Sequence, residues 1–151
     1  MLKFSRTKWV GIERPAKDVF LVHGTLEDHI YGLELDLTIK APELIILNLE
    51  GKMRRITTSE CPKAISALKK AVGLCLTAPD FSRQVNKVIG QKGCRHFANL
   101  LLECTDAVFR CALYENWDNM QKEGSFTEDN FRKEVMENLP FLRESCFALA
   151  D

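Results

Sequence analysis

The chain has no excess of either charge. Its 151 residues carry 21 Lys plus Arg against 21 Asp plus Glu, a formal net charge of zero. A protein that coats DNA or RNA draws most of its affinity from basic charge against phosphate, so no nucleic-acid partner is expected. The same balance argues against a polybasic membrane anchor. No apolar run reaches the roughly 18 residues of a membrane span. The opening Met1-Leu2-Lys3-Phe4-Ser5-Arg6 leads into no secretory h-region. These readings predict no membrane association and a cytoplasmic, reducing setting. P-loop, dinucleotide-fingerprint, HExxH, nucleophile-elbow and EF-hand patterns are missing, as are CxxC pairs. Three histidines leave little room for a multi-histidine metal enzyme. The weight of these absences falls against the commonest enzymes and toward a binding protein.

What is present is an ordinary globular composition, 46% hydrophobic and 28% charged. The length suits one core. Six cysteines (Cys61, Cys75, Cys94, Cys104, Cys111 and Cys146) make an even number. A cytosolic chain with such a core needs no disulfide framework, so six free thiols are expected.

Residues 1–17 are weakly patterned and read as an N-terminal arm, followed by a single domain over residues 18–151. From Asp18 to Ile56 the hydrophobic period is two. Phe20 and Val22 alternate with Leu21 and His23, and Leu33, Leu35, Leu37 and Ile39 alternate with Glu34, Asp36, Thr38 and Lys40. This predicts antiparallel strands with one dry face and one wet face. Gly51-Lys52 reads as a tight turn toward a further short strand. After Thr57 the period becomes helical. Thr57-Thr58-Ser59-Glu60-Cys61-Pro62 is a start signal with hydroxyl caps and an early proline. Ile65, Leu68 and Val72 mark one face, and Gly73 ends it. A short helix opens at Pro79-Asp80. A longer one runs from about Cys94 to Tyr114, with Phe97, Leu100, Leu101, Cys104, Val108 and Cys111 as its stripe. Asn116 to Gly124 reads as a polar break. Ser125 with Glu128 forms a capping box for a fourth helix that stops before Pro140, and the apolar tail docks as a last short helix. The expected fold is α+β: an antiparallel three- to four-stranded meander followed by helices packed on one face.

The candidate chemistry lies at two helix starts. Cys94 stands in Gly93-Cys94-Arg95-His96, flanked by cations, where helix N–H groups favour a thiolate. Cys94 and His96 converge only if Cys94 is the cap, outside the regular turn. Cys61 repeats the theme in Glu60-Cys61-Pro62. Asp28 and His29, in a strand connection, are further candidate ligands, with a polar turn as the plainer reading. Cys104, Cys111 and Cys75 read as core, Cys146 as a tail thiol, and Lys52-Met53-Arg54-Arg55 as a solvated edge.

Two resemblances arise from these residues. Gly24-Thr25-Leu26-Glu27-Asp28, Cys61-Pro62, Phe81…Val85 and Gly93-Cys94-Arg95-His96-Phe97…Leu100-Leu101 resemble a bacterial domain family of unknown function, over about Val19 to Leu113. It implies a shared fold and no reaction. The order of meander, Cys-led helix and Cys/His-led helix looks like the NifU/IscU-type iron–sulfur scaffolds, a SufE/NifU-like fold. In that family a histidine directly precedes the last cysteine, whereas His96 follows Cys94 by two. The resemblance implies zinc or an iron–sulfur cluster held by Cys61, Cys94 and His96, with Asp28 as the nearest further ligand. Two alternatives stand beside this metal site. One is a metal-free domain binding a small molecule or a partner protein. The other is a thiol-dependent sulfur carrier using Cys94.

Overall fold

The structure is a computed structural model that describes residues 1–150. Four strands, β1 (Arg6–Ala16), β2 (Val19–Asp28), β3 (Gly32–Lys40) and β4 (Ile45–Arg55), form one antiparallel sheet in the order β1-β2-β3-β4. A 3₁₀ helix (Cys61–Ala71) follows, then α1 (Phe81–Val85), which runs on as a π turn (Asn86–Gln91), then α2 (Arg95–Glu123) and α3 (Glu128–Asn138). Strands precede Thr57 and helices follow it, as the change of period predicts. The fold is α+β. The chain divides into two compact units, Met1–Asp106 and Ala107–Asp151, with the boundary inside α2.

In the first unit the two-residue period decides which sheet face is dry. Leu33, Leu35, Leu37 and Ile39 are each 3% exposed or less, and burying such side chains is worth about 1.5–3 kcal/mol apiece. Gly24 and Gly51 lie on the same dry face, both paired with Leu35. A Cβ at Gly24 would come within 2.4 Å of Cys104 Sγ, and one at Gly51 within 2.4 Å of Leu68 Cδ1 and 2.9 Å of Phe97 Cζ. Glycine at these positions lets the 3₁₀ helix and α2 lie directly on the strands. The turn expected at Gly51-Lys52 is therefore absent, and β4 runs straight through it.

Residues 6–16, read from the sequence as part of an unassigned arm, are an edge strand instead. The boundary expected at residue 17 falls within the β1–β2 hairpin. The apolar alternation is missing because Arg6 and Lys8, on the helix side of the sheet, are ion-paired there, with Asp28 and Glu103 at 2.6 Å each. The helix at Cys61 has three residues per turn, so its stripe is Ile65, Leu68 and Ala71, and Val72 falls off it at 43% exposed.

The polar break expected at Asn116 to Gly124 is helical. α2 continues to Glu123, supported by an i,i+4 pair between Asp118 and Lys122, and ends at Gly124 with φ +68°. The capping box does not form. Thr127 is the α3 cap, its Oγ1 accepting from Asn130 N at 3.1 Å. The second unit gathers Val135, Leu142 and Leu149 into its own cluster, with the Phe109 and Phe141 rings in tilted contact at 5.0 Å. Its tail forms two single 3₁₀ turns, Pro140–Leu142 and Phe147–Leu149, and leaves Cys146 exposed.

Candidate functional site

Cys94 holds the cap position of α2. Its carbonyl accepts the Ala98 amide at 3.1 Å, while its own amide bonds Ile89 O at 2.9 Å. This frees its side chain from the helical repeat, and Cys94 Sγ lies 3.7 Å from His96 Nδ1. The convergence that the sequence allowed only for a capping cysteine is thus realised. Burial is the main cause holding the His96 imidazole below its usual pKa, followed by the charge of Arg6, so the ring is neutral at pH 7. In the tautomer protonated at Nε2, Nδ1 accepts from the Cys94 thiol.

Cys61 opens the 3₁₀ helix. The Thr57 and Thr58 hydroxyls, expected as caps of the backbone, reach its sulfur instead, at 3.6 and 3.5 Å. Hydrogen bonds from Thr58 and then Thr57 are the leading causes that lower the Cys61 pKa from 9.0 to about 7. Hydroxyl donors, more than the helix N–H groups expected from the sequence, thus favour this thiolate.

Gly93 joins the two helix starts. A Cβ there would meet Ala67 Cβ at 2.8 Å, Ile89 O at 2.8 Å and Ala64 O at 3.3 Å. Ala64 and Ala67 lie one and two 3₁₀ turns beyond Cys61, so the segment carrying Cys94 lies directly on the helix that Cys61 begins. Cys61, Cys94 and His96 line one cleft of about 340 Å³, together with Tyr31, Thr58 and Arg95. That volume is within the range of small-molecule sites. A continuous line of contacts connects the two thiols. Cys94 meets His96, whose ring centroid is 4.0 Å from that of Tyr31. Tyr31 Oη is 3.2 Å from Thr57 Oγ1, which in turn touches Cys61 Sγ.

Asp28 does not line this cleft. Its Oδ1 accepts the amides of Ile30 and Tyr31 at 2.7 Å each, and its Oδ2 accepts Arg6 Nε at 2.8 Å. The Tyr31 amide is the leading cause that pulls its pKa down to about 2. Both carboxylate oxygens are engaged in closing the β2–β3 turn, so Asp28 positions Tyr31 against His96. His29 lies against Phe4, ring centroids 5.8 Å apart. Tyr31 is the site residue that sequence reasoning missed; its nearness to the Asp28 turn was the available signal. Among the described residues no three His, Cys, Asp or Glu side chains stand together as metal ligands. A zinc or iron–sulfur centre takes three or four convergent donors, and the described residues hold no such preformed group.

Among the described residues no cysteine forms a disulfide. Cys104 is fully buried, and burial pushes its thiol up to about 12. Arg54 and Arg55 of the basic cluster pair across the sheet with Glu34 and Glu27. Among the described residues no helix is long and apolar enough to cross a membrane.

The fold and cleft define an α+β domain that offers two thiols and an imidazole in one recess. Residues 13–110 match the family described as "Protein of unknown function (DUF2889)", and the chain belongs to that family. No curated protein and no solved structure matches the chain, so no comparison supports the NifU/IscU resemblance.

Proposed function

We propose that this chain is a ligand-binding module that acts through a reactive thiol, with Cys61 as the nucleophile and Cys94–His96 as a second thiol–imidazole couple in the same cleft. One observation carries the reading: Cys61, Cys94 and His96, far apart in sequence, line a single recess of small-molecule size. At neutral pH about half of Cys61 is thiolate if its pKa is about 7. That thiolate attacks an electrophilic carbon or sulfur, forming an S–C or S–S bond, and the leaving group departs with the bonding electron pair. Neutral His96 holds the Cys94 thiol beside it through Nδ1. On this reading Cys61 reacts first, and Cys94, the centre of the sulfur-carrier reading, reacts second.

The test is mass mapping of adducts formed with substoichiometric glutathione disulfide at pH 7. The expected product is a mixed disulfide at Cys61, lost in Cys61→Ser and slowed in Cys94→Ser. Labelling spread evenly over the exposed thiols would overturn the reading. Stoichiometric zinc in anaerobically purified protein, lost in both serine variants, would replace it with the metal reading.

A further inference from the structure

The sheet face turned away from the helices has its own recess, independent of the thiol cleft. One rung crosses all four strands there as Gly11, His23, Asp36 and Glu50, each residue paired with the next. A concavity of about 560 Å³ lies over this rung, with Trp9 and Glu13 also on its walls.

The outer edge of the Trp9 indole reaches over Gly11, and its ring lies 6.0 Å from that of His23. A Cβ at residue 11 would come within 2.5 Å of Trp9 Cη2, so glycine there leaves room for the ring in this position. Trp9 is an exposed residue at 55%, a large apolar surface held against the sheet and open to solvent. At the other end of the rung, Asp36 and Glu50 stand directly opposite each other on β3 and β4. Like charges so placed destabilise a sheet unless something offsets them. His23 Nδ1 meets Asp36 Oδ1 at 2.6 Å, and Asn48 donates to Glu50 at 3.2 Å.

The lining carries three carboxylates and no lysine or arginine, in a chain whose total charge is balanced. Outside the lining, Arg54 is paired with Glu34, Lys40 is paired with Glu43, and Lys52 stands opposite Glu34 on the neighbouring strand. An indole face attracts cations through its quadrupole, and nearby carboxylates add opposite charge. A metal ion is the poorer occupant, because the described residues hold no three-ligand group and an indole donates nothing to a metal.

We propose that this recess binds a small organic cation of the alkylammonium class, its charged head between the Trp9 indole and the Asp36–Glu50 pair. The test is a titration of the full chain with choline, read by NMR at the Trp9 indole N–H. The uncharged isostere 3,3-dimethyl-1-butanol is the control, and Trp9→Phe assigns the signal. Saturable shifts with choline, at least fivefold weaker affinity in both Glu50→Gln and Asp36→Asn, and much weaker binding of the alcohol are expected. Both substitutions are isosteric and lie on the open face, and thermal melts confirm that they fold. No saturable shift with choline would overturn the proposal. Equal affinity for the alcohol, or no change in the two variants, would do so as well.

Discussion

Cys61 and Cys104 are the same side chain in opposite surroundings. Cys61 lines a cleft with two hydroxyls on its sulfur, and its pKa falls to about 7. Cys104 lies under β2, where a Cβ at Gly24 would come within 2.4 Å of its sulfur, and its pKa rises to about 12. Both are on helices that back one sheet. The difference teaches that proximity to a helix or to the core does not make a thiol reactive. Donors facing the sulfur favour the anion, and apolar packing around it favours the neutral thiol.

The largest expected effect is the contrast itself. At pH 7 the thiolate fractions of the two residues differ by several powers of ten. Iodoacetamide should label Cys61 in the folded protein and reach Cys104 only after denaturation, as peptide mapping would report. Comparable labelling of both under native conditions would erase the distinction.

Gly93→Ala should strike the geometry of the cleft. The added methyl meets Ala67 Cβ and the Ile89 carbonyl at 2.8 Å, and overpacking of this kind costs about 1–3 kcal/mol. Urea unfolding should show the loss, and adduct formation that depends on both Cys61 and Cys94 should fall with it. An alanine variant with wild-type stability and adduct pattern would mean that the close approach at Gly93 is not what joins the two helix starts.

Thr58→Val removes the leading donor to Cys61. Its thiol should titrate upward toward 9.0, and neutral-pH alkylation should slow by up to about tenfold, since thiolate fraction falls while intrinsic nucleophilicity rises. The difference should close at alkaline pH. A pH–rate profile that superimposes on the wild type would show that the hydroxyl does not control this thiol.

The smallest effect concerns the residue that supports the cleft without lining it. The Asp28 carboxyl titrates at about 2 instead of 3.8. Its contribution to stability is present above pH 3.8 and is lost as the pH falls from there toward 2. Asp28→Asn should lower the melting temperature at neutral pH and lose less than the wild type across that acid range. Parallel stability–pH curves for the two proteins would contradict this role.

Much of the fold is legible locally. The alternation from Phe20 to Ile39 records a sheet with one buried face, and the change after Thr57 records helices, because each period reflects which side of an element meets the core. Where local pattern misled, a tertiary partner had altered the meaning of a residue. Arg6 and Lys8 face the helix side as ion-paired cations, so β1 reads as an arm. Gly51 looks like a turn because its reason for being glycine, the approach of Leu68 and Phe97, lies outside its own strand. Thr57 and Thr58 look like backbone caps, and their use on the Cys61 sulfur needs the folded turn.

The sequence by itself determined the α+β order, the membership in the DUF2889 family and the placement of cysteines at two helix starts. These depend on short-range periodicity and on residue identity. Only the tertiary structure decided that Cys61, Cys94 and His96 share one cleft and that Asp28 serves a turn. It also decided that Cys61 and Cys104 titrate on opposite sides of an ordinary thiol. The physical reason is range. Hydrophobic period is written along the chain, whereas a pKa and a shared recess depend on which distant groups the packing brings within a few ångströms.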